Sequence, residues 1–116
     1  MKYILISPTP TFSDEQYGYN CQEEWFRPSW VISPACFTEV KKSKWFASNT
    51  EQIANIEKFL IANPKVLYLD AFSVICPDLY CKNHDDLAHI YRDSIHLSSY
   101  GAMKLSNIFE TFIRSK

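Results

Sequence analysis

The chain has 116 residues, 47% of them hydrophobic and 22% charged, with a formal net charge of −1 at pH 7. That length suits one domain and not two, and the hydrophobic share excludes a disordered chain. Lys and Arg are scattered rather than gathered on one face, which excludes ordinary nucleic-acid binding, so no nucleic-acid partner is expected.

The opening, MKYILISPTP, has one Lys and four consecutive apolar residues before Ser7. That is too short for the core of a signal peptide, so none is expected in this chain. Residues 2–7 read instead as a buried strand, since both faces are apolar or aromatic, and SPTP stops it. No stretch approaches the roughly 20 apolar residues of a membrane span.

Residues 8–46 read as irregular. They hold Pro8, Pro10, Pro28 and Pro34 together with Tyr17, Tyr19, Trp25, Phe26, Trp30 and Trp45. A structureless stretch of this length needs a functional or covalent reason to persist. Cys21 and Cys36 flank its aromatic part, and Cys76 and Cys81 flank the tight segment CPDLYC. An even count in two local pairs suggests two disulfides and an oxidising compartment. Four reduced thiols in a cytosolic protein are the alternative. A zinc site fits poorly, because C-x14-C and C-x4-C lack the close ligand spacing of zinc knuckles. Within CQEEWFRPSW, the flat faces of Trp25 and Trp30 and the cation of Arg27 suit a sugar ring, so these are candidate substrate-binding residues. The competing reading makes the aromatics the loop's own small core. KKSK at 41–44 reads as a solvated turn.

SNTEQIANIEKFLIANP, residues 48–64, reads as a helix. Ser48 and Glu51 fit a capping box. Ile53, Ile56, Phe59, Leu60 and Ile61 form an apolar stripe, and Asn63-Pro64 ends it. KVLYLDAF, residues 65–72, reads as a second buried strand, with Asp70 as a loop-capping carboxylate. Strand, helix and strand make a βαβ-type unit with a parallel pair. A loop excursion follows. SSYGAMKLSNIFETFIRS, residues 98–115, reads as an amphipathic helix capped by Ser98 or Ser99. Its Leu105, Ile108, Phe109, Phe112 and Ile113 are expected to face the sheet. Two strands leave both outer edges of a sheet unpaired, so the fold class expected is the C-terminal half of a doubly wound α/β domain.

The chemistry concentrates in IYRDSIHLSSYGAMKL, residues 90–105. A His general base must be held in one tautomer, and a carboxylate on its other ring nitrogen does that. Asp93 and His96 are close enough in sequence to make the contact within one loop. The pair serves acyl transfer only if a hydroxyl or thiol lies within reach of the imidazole. His84 and His89, with Asp85, Asp86 and Asp93, have the residue types of a metal site, as does His89-x3-Asp93-x2-His96, but the histidines read as exposed loop side chains. No metal and no cofactor is expected.

LYLDAFSVICPDLYC followed by IYRDSIHLSSYGAMKL resembles the end of SGNH-type hydrolase domains. More narrowly it is similar to the extracytoplasmic SGNH domain fused behind the membrane part of acyltransferase-3 family O-acyltransferases. The matching positions are Asp70, Cys76, Cys81, Tyr91, Asp93, His96, Leu97, Ser98, Gly101 and Ala102. The match is specific over 65–113 and looser over 1–64. The resemblance implies one partial domain spanning 1–116. Its fold would be a three-layer α/β/α flavodoxin-like sheet of parallel strands with the N-terminal strands missing. It implies that Asp93 orients His96, which acts as base on a Ser in a G-D-S block, with a Gly and an Asn on middle loops binding the oxyanion.

The chain departs from that pattern. It contains no G-D-S, and its glycines are Gly18 and Gly101. Asn20 lies in the Pro-rich loop and is not assigned to the oxyanion. Ser98 and Ser99 are too near His96 in sequence and serve better as caps. Ser7 and Ser73, at strand ends, are the remaining serines placed to face the site. Loss of a triad nucleophile costs about 10⁶ in turnover, and loss of an oxyanion donor a further ~10²–10³. The chain is therefore expected to be silent alone. The resemblance implies an acyl donor, a glycan acceptor such as lipopolysaccharide, and an upstream polypeptide carrying the Ser and the membrane helices. The setting it implies is the periplasmic or extracytoplasmic face of a membrane. A non-catalytic glycan-binding or scaffolding remnant is the other expectation.

Overall fold

Residues 2–13, Trp30 and residues 36–115 are described in the computed structural model of the chain. In chain order the elements are β1 Ile4–Ile6, β2 Glu39–Lys41, α1 Lys42–Ser48, α2 Thr50–Ala62, β3 Leu67–Leu69, α3 Ala71–Ile75, β4 Tyr80–Lys82 and α4 Ser99–Arg114.

The apolar runs around ILI and LYL pair as expected. β1 and β3 are parallel, in the register Ile4↔Leu67, Leu5↔Tyr68 and Ile6↔Leu69. Bonds from Leu67 N to Tyr3 O and from Ser7 N to Leu69 O, both 2.9 Å, extend the ladder. Neighbouring side chains on a strand point to opposite faces. Leu5 lines a groove with Ile56 and Phe59 of α2, while Ile6 and Leu69 line another with Leu105 and Phe109 of α4. The helices thus flank the parallel pair on both sides, an α/β arrangement compatible with a partial flavodoxin-like fold.

The strands are shorter than expected and are not fully buried. Ile6 is 49% exposed and Tyr68 38%. Burial of an apolar strand depends on neighbours on both sides, and β1 has a described neighbour on one side only. The same narrowness limits α4. Leu105 packs into the core, whereas Ile108 and Ile113 stay 41% and 47% exposed because two strands do not reach under the whole helix.

Three local expectations are corrected. The stretch 8–46 is not wholly irregular, since β2 and α1 lie at its end and just beyond. KKSK is no turn: Lys41 closes β2 and the next residues begin α1. Ser48 does not cap α2, because α1 runs through it. Asn49 separates the two helices without a side-chain cap and donates its Nδ2 to Trp45 O at 2.8 Å.

Trp45 explains why α1 forms where it does. A short helix gains its stability from packing rather than propensity, and Trp45 is buried against Phe72, Cys76 and Cys81. Its ring nitrogen donates to Thr11 Oγ1 at 2.9 Å. β2 pairs antiparallel with β4 over the same cluster, with Val40 opposite Cys81. Cys76 and Cys81 form a disulfide and are both fully buried. Cys36 is also disulfide-bonded; Cys21, its expected partner, lies outside the described residues. Replacing both Cys76 and Cys81 by Ser is expected to lower stability by about 2 kcal/mol through loss of the short loop constraint. A urea midpoint falling by the corresponding amount checks this.

Candidate active site

The loop that carries the candidate site is built on Asn83, which is fully buried. Its side chain donates to Cys36 O and accepts from Thr38 N, both at 2.9 Å. Its backbone carbonyl accepts from Ile90 N at 2.8 Å and from Tyr91 N at 3.2 Å. A buried amide is costly unless its groups are paired, so this bonding locks the base of the following loop. From there the chain closes on itself. Arg92 N donates to His96 O at 3.0 Å and Ser98 N to Ile90 O at 2.8 Å, and Tyr91 bridges Leu97.

Asp93 and His96 meet inside that closed loop. Asp93 Oδ1 accepts from Ile95 N at 2.9 Å and His96 N at 2.6 Å. His96 Nδ1 lies 2.9 Å from Asp93 Oδ2. A carboxylate only accepts, so the facing Nδ1 carries the proton of the neutral ring and the lone pair sits on Nε2. Nε2 has no hydrogen-bond partner among the described residues, and the side chain is 55% exposed. Partial burial pushes the Asp93 carboxyl up, but the Ile95 and His96 amides and the imidazole outweigh it and hold it below its ordinary value. The orienting charge therefore persists into mild acid.

The serines at the strand ends are committed elsewhere. Ser7 is 6% exposed; its Oγ accepts from Phe72 N at 2.9 Å and donates to Pro8 O at 3.1 Å. Ser73 Oγ donates to Asp70 Oδ2 at 2.5 Å, and Asp70 Oδ1 accepts from Ser73 N, so Asp70 caps α3. Ser98 caps α4, accepting from Gly101 N at 3.1 Å and donating to His89 O at 2.6 Å.

The remaining candidates are dispersed. Trp30 is 70% exposed; Trp25 and Arg27 lie outside the described residues. His84 and His89 are half-buried rather than exposed, because Phe37 covers them, stacking on His84 with ring centroids 3.5 Å apart. Burial, then Lys82, lowers the pKa of His84; burial, then His84, lowers that of His89. Among the described residues no group of three or more His, Cys, Asp or Glu is placed to hold a metal.

Asp85 belongs to a support under the loop. It accepts from Leu87 N and Ala88 N at 2.8 and 3.0 Å, from Tyr100 OH, and pairs with Lys104 Nζ at 2.9 Å. Partial burial pushes its carboxyl up, but Lys104, Tyr100 and the two amides bring it from 3.8 down to about 2. A carboxyl depressed on folding stabilises the fold above its unfolded value and loses that contribution as pH falls through its folded one. Urea midpoints should therefore fall as pH drops from 3.8 towards about 2, and Asp85→Asn should remove much of that slope.

An oriented imidazole and a local carboxylate thus stand just before a helix that starts three residues after His96. Comparison with protein-family models matches residues 1–111 to the SGNH domain (fused to AT3 domains). The chain belongs to that family. Comparisons with curated proteins and with solved structures find no match. In this SGNH domain, sequence reasoning missed two residues on which the loop depends. Asn83 sits in the polar run KNHDD and carries no sequence signal of burial. Tyr91 gave a signal, as a matching motif position, without indicating its contact with Pro10.

Proposed function

We propose that this SGNH domain supplies the Asp–His half of an O-acyl transfer site, with the nucleophilic Ser provided by another stretch of polypeptide. The single observation that carries the reading is the 2.9 Å contact that aims His96 Nδ1 at Asp93 and leaves Nε2 open. His96 Nε2 takes the proton of the incoming Ser hydroxyl as its oxygen attacks the acyl carbonyl. It returns that proton to the departing donor group. A glycan hydroxyl then attacks the acyl-Ser, giving its proton to Nε2, and the Ser oxygen leaves as the hydroxyl again. Asp93 holds the tautomer and stabilises the imidazolium formed in each half. Fusion of family members to AT3 domains supports a membrane-protein setting, although no helix among the described residues is long and apolar enough to cross a membrane. The buried disulfide supports an oxidising, extracytoplasmic location. The donor is an activated acyl group and the acceptor a cell-surface glycan such as lipopolysaccharide.

Mixing the chain with a polypeptide carrying the family's Ser block and following p-nitrophenyl acetate hydrolysis tests this. The chain alone should match its His96→Ala variant, and the mixture should exceed both components. The 70% exposure of Trp30 supports a second reading, a non-catalytic glycan-binding module. That reading gains if the mixture stays silent while the chain binds polysaccharide.

A further inference from the structure

The dyad loop is joined to the exit of β1 by a buried tie. Tyr91 OH donates to Pro10 O at 2.5 Å, and both residues belong to the most deeply buried set. Phe12 N donates to Ser94 O at 2.9 Å, and Ser94 lies between Asp93 and His96 in the loop. The Phe12 ring meets the Tyr91 ring edge-on, with centroids 4.9 Å apart. Residues 10–12 are themselves fixed from the other side by the Trp45–Thr11 bond. Ser94 is buried and Leu97 packs on the core, whereas Ile95 is 55% exposed and the His96 side chain has 55% of its surface open. Asp93 and His96 hold each other, but their mutual contact does not fix where the pair stands relative to the sheet.

The sheet makes that placement matter. In open α/β sheets, ligands bind outside the carboxyl ends of the strands. The carboxyl end of β1 leads through Ser7 into Pro8 and Pro10, the segment that Tyr91 grips. We infer that Tyr91 is a positioning residue, whose buried phenol sets Asp93 and His96 against the carboxyl end of the parallel pair. The inference rests on reading Asp93–His96 as the proton-transfer pair. A phenol suits the task because its ring packs in the Ile75–Ile90 core while its hydroxyl reaches across to a backbone carbonyl at the exit of β1. Loss of the hydroxyl alone leaves the ring and the core in place.

Tyr91→Phe in the full chain tests it, with readouts that require no turnover. Circular dichroism and the thermal midpoint report folding. Amide exchange of Ile95 and His96, both bonded to Asp93, and the imidazole nitrogen shifts of His96 report the dyad. The expected result is a folded variant in which these two amides exchange about tenfold faster and α2 amides change less, while the Nδ1–H tautomer, set by Asp93, is kept. Equal acceleration in α2 and the dyad loop, or unchanged exchange of the two amides, would make Tyr91 a core residue and nothing more. Should Tyr91→Phe fail to fold, Thr11→Val loosens the same segment from its far side. It should speed His96 exchange about threefold, and an unchanged rate would overturn the inference. Silence of the wild-type chain with its Ser-bearing partner would instead sink the acyl-transfer reading, and leaves these exchange measurements unaffected.

Discussion

In the mixture with a Ser-bearing polypeptide, His96→Ala should lower acyl transfer by about 10⁶, the cost of removing the base of a triad. Asp93→Asn should cost about 10⁴, because an amide can present the wrong group to Nδ1 and select the wrong tautomer. The double variant should be no worse than His96→Ala, since the residues act as one unit. None of this should be an effect of unfolding. The His96 side chain is exposed and, among the described residues, bonds to Asp93 alone, and ion pairs at that exposure contribute about 0–1 kcal/mol. Urea midpoints of the His96→Ala variant and the wild type should therefore lie close together while their turnovers separate. A shared drop in both would assign His96 to the fold rather than to the chemistry.

Gly101→Ala should disrupt the start of α4. A Cβ there would clash with Ile90 O and stand 3.1 Å from Ile90 Cγ2. The first contact is with backbone, so no side-chain rotation relieves it. Either α4 moves away or the Ile90 carbonyl does, and that carbonyl accepts from Ser98 N at the base of the dyad loop. Overpacking of this kind costs about 3 kcal/mol at the upper end of its usual range. Ala gains about 1 kcal/mol over Gly in helix propensity, so a net loss near 2 kcal/mol is expected in the urea midpoint. Movement of the loop by about 1 Å should also lower transfer in the mixture by about 10². An unchanged midpoint would mean that the helix start tolerates what the geometry forbids.

Much of the candidate site was legible because its parts are local. Asp93 and His96 are three residues apart, and one turn of loop brings them together without help from distant sequence. Ser98 is followed by Gly101 and a 3.6-residue apolar period, so the start of α4 could be read, but of its expected face Leu105 and Phe109 line the groove with Ile6 and Leu69 while Ile108 and Ile113 stay exposed. The parallel pair could be read from two apolar runs separated by a helical pattern. What escaped was non-local or short. The Tyr91–Pro10 bond spans 81 residues, and nothing in either neighbourhood announces it. α1 is seven residues long, too short to establish a period, and its Trp45 looked like one more aromatic of the Pro-rich stretch. Ser48 resembled a cap because Glu51 follows at the right spacing, yet the preceding turn was already helical. The exposure of β1 was hidden for a different reason: a strand's own residues do not say whether a neighbour lies on its second edge.

The oriented imidazole makes a prediction that can be read on the Ser itself. A fluorophosphonate probe labels a serine only when a neighbouring base activates it, so labelling rate measures the dyad acting across the two polypeptides. With the Ser-bearing polypeptide present, the wild-type chain should bring rapid labelling of that Ser, and the His96→Ala chain should leave it at the rate of the polypeptide alone. Equal labelling with wild type and His96→Ala would contradict a role for His96 as its base.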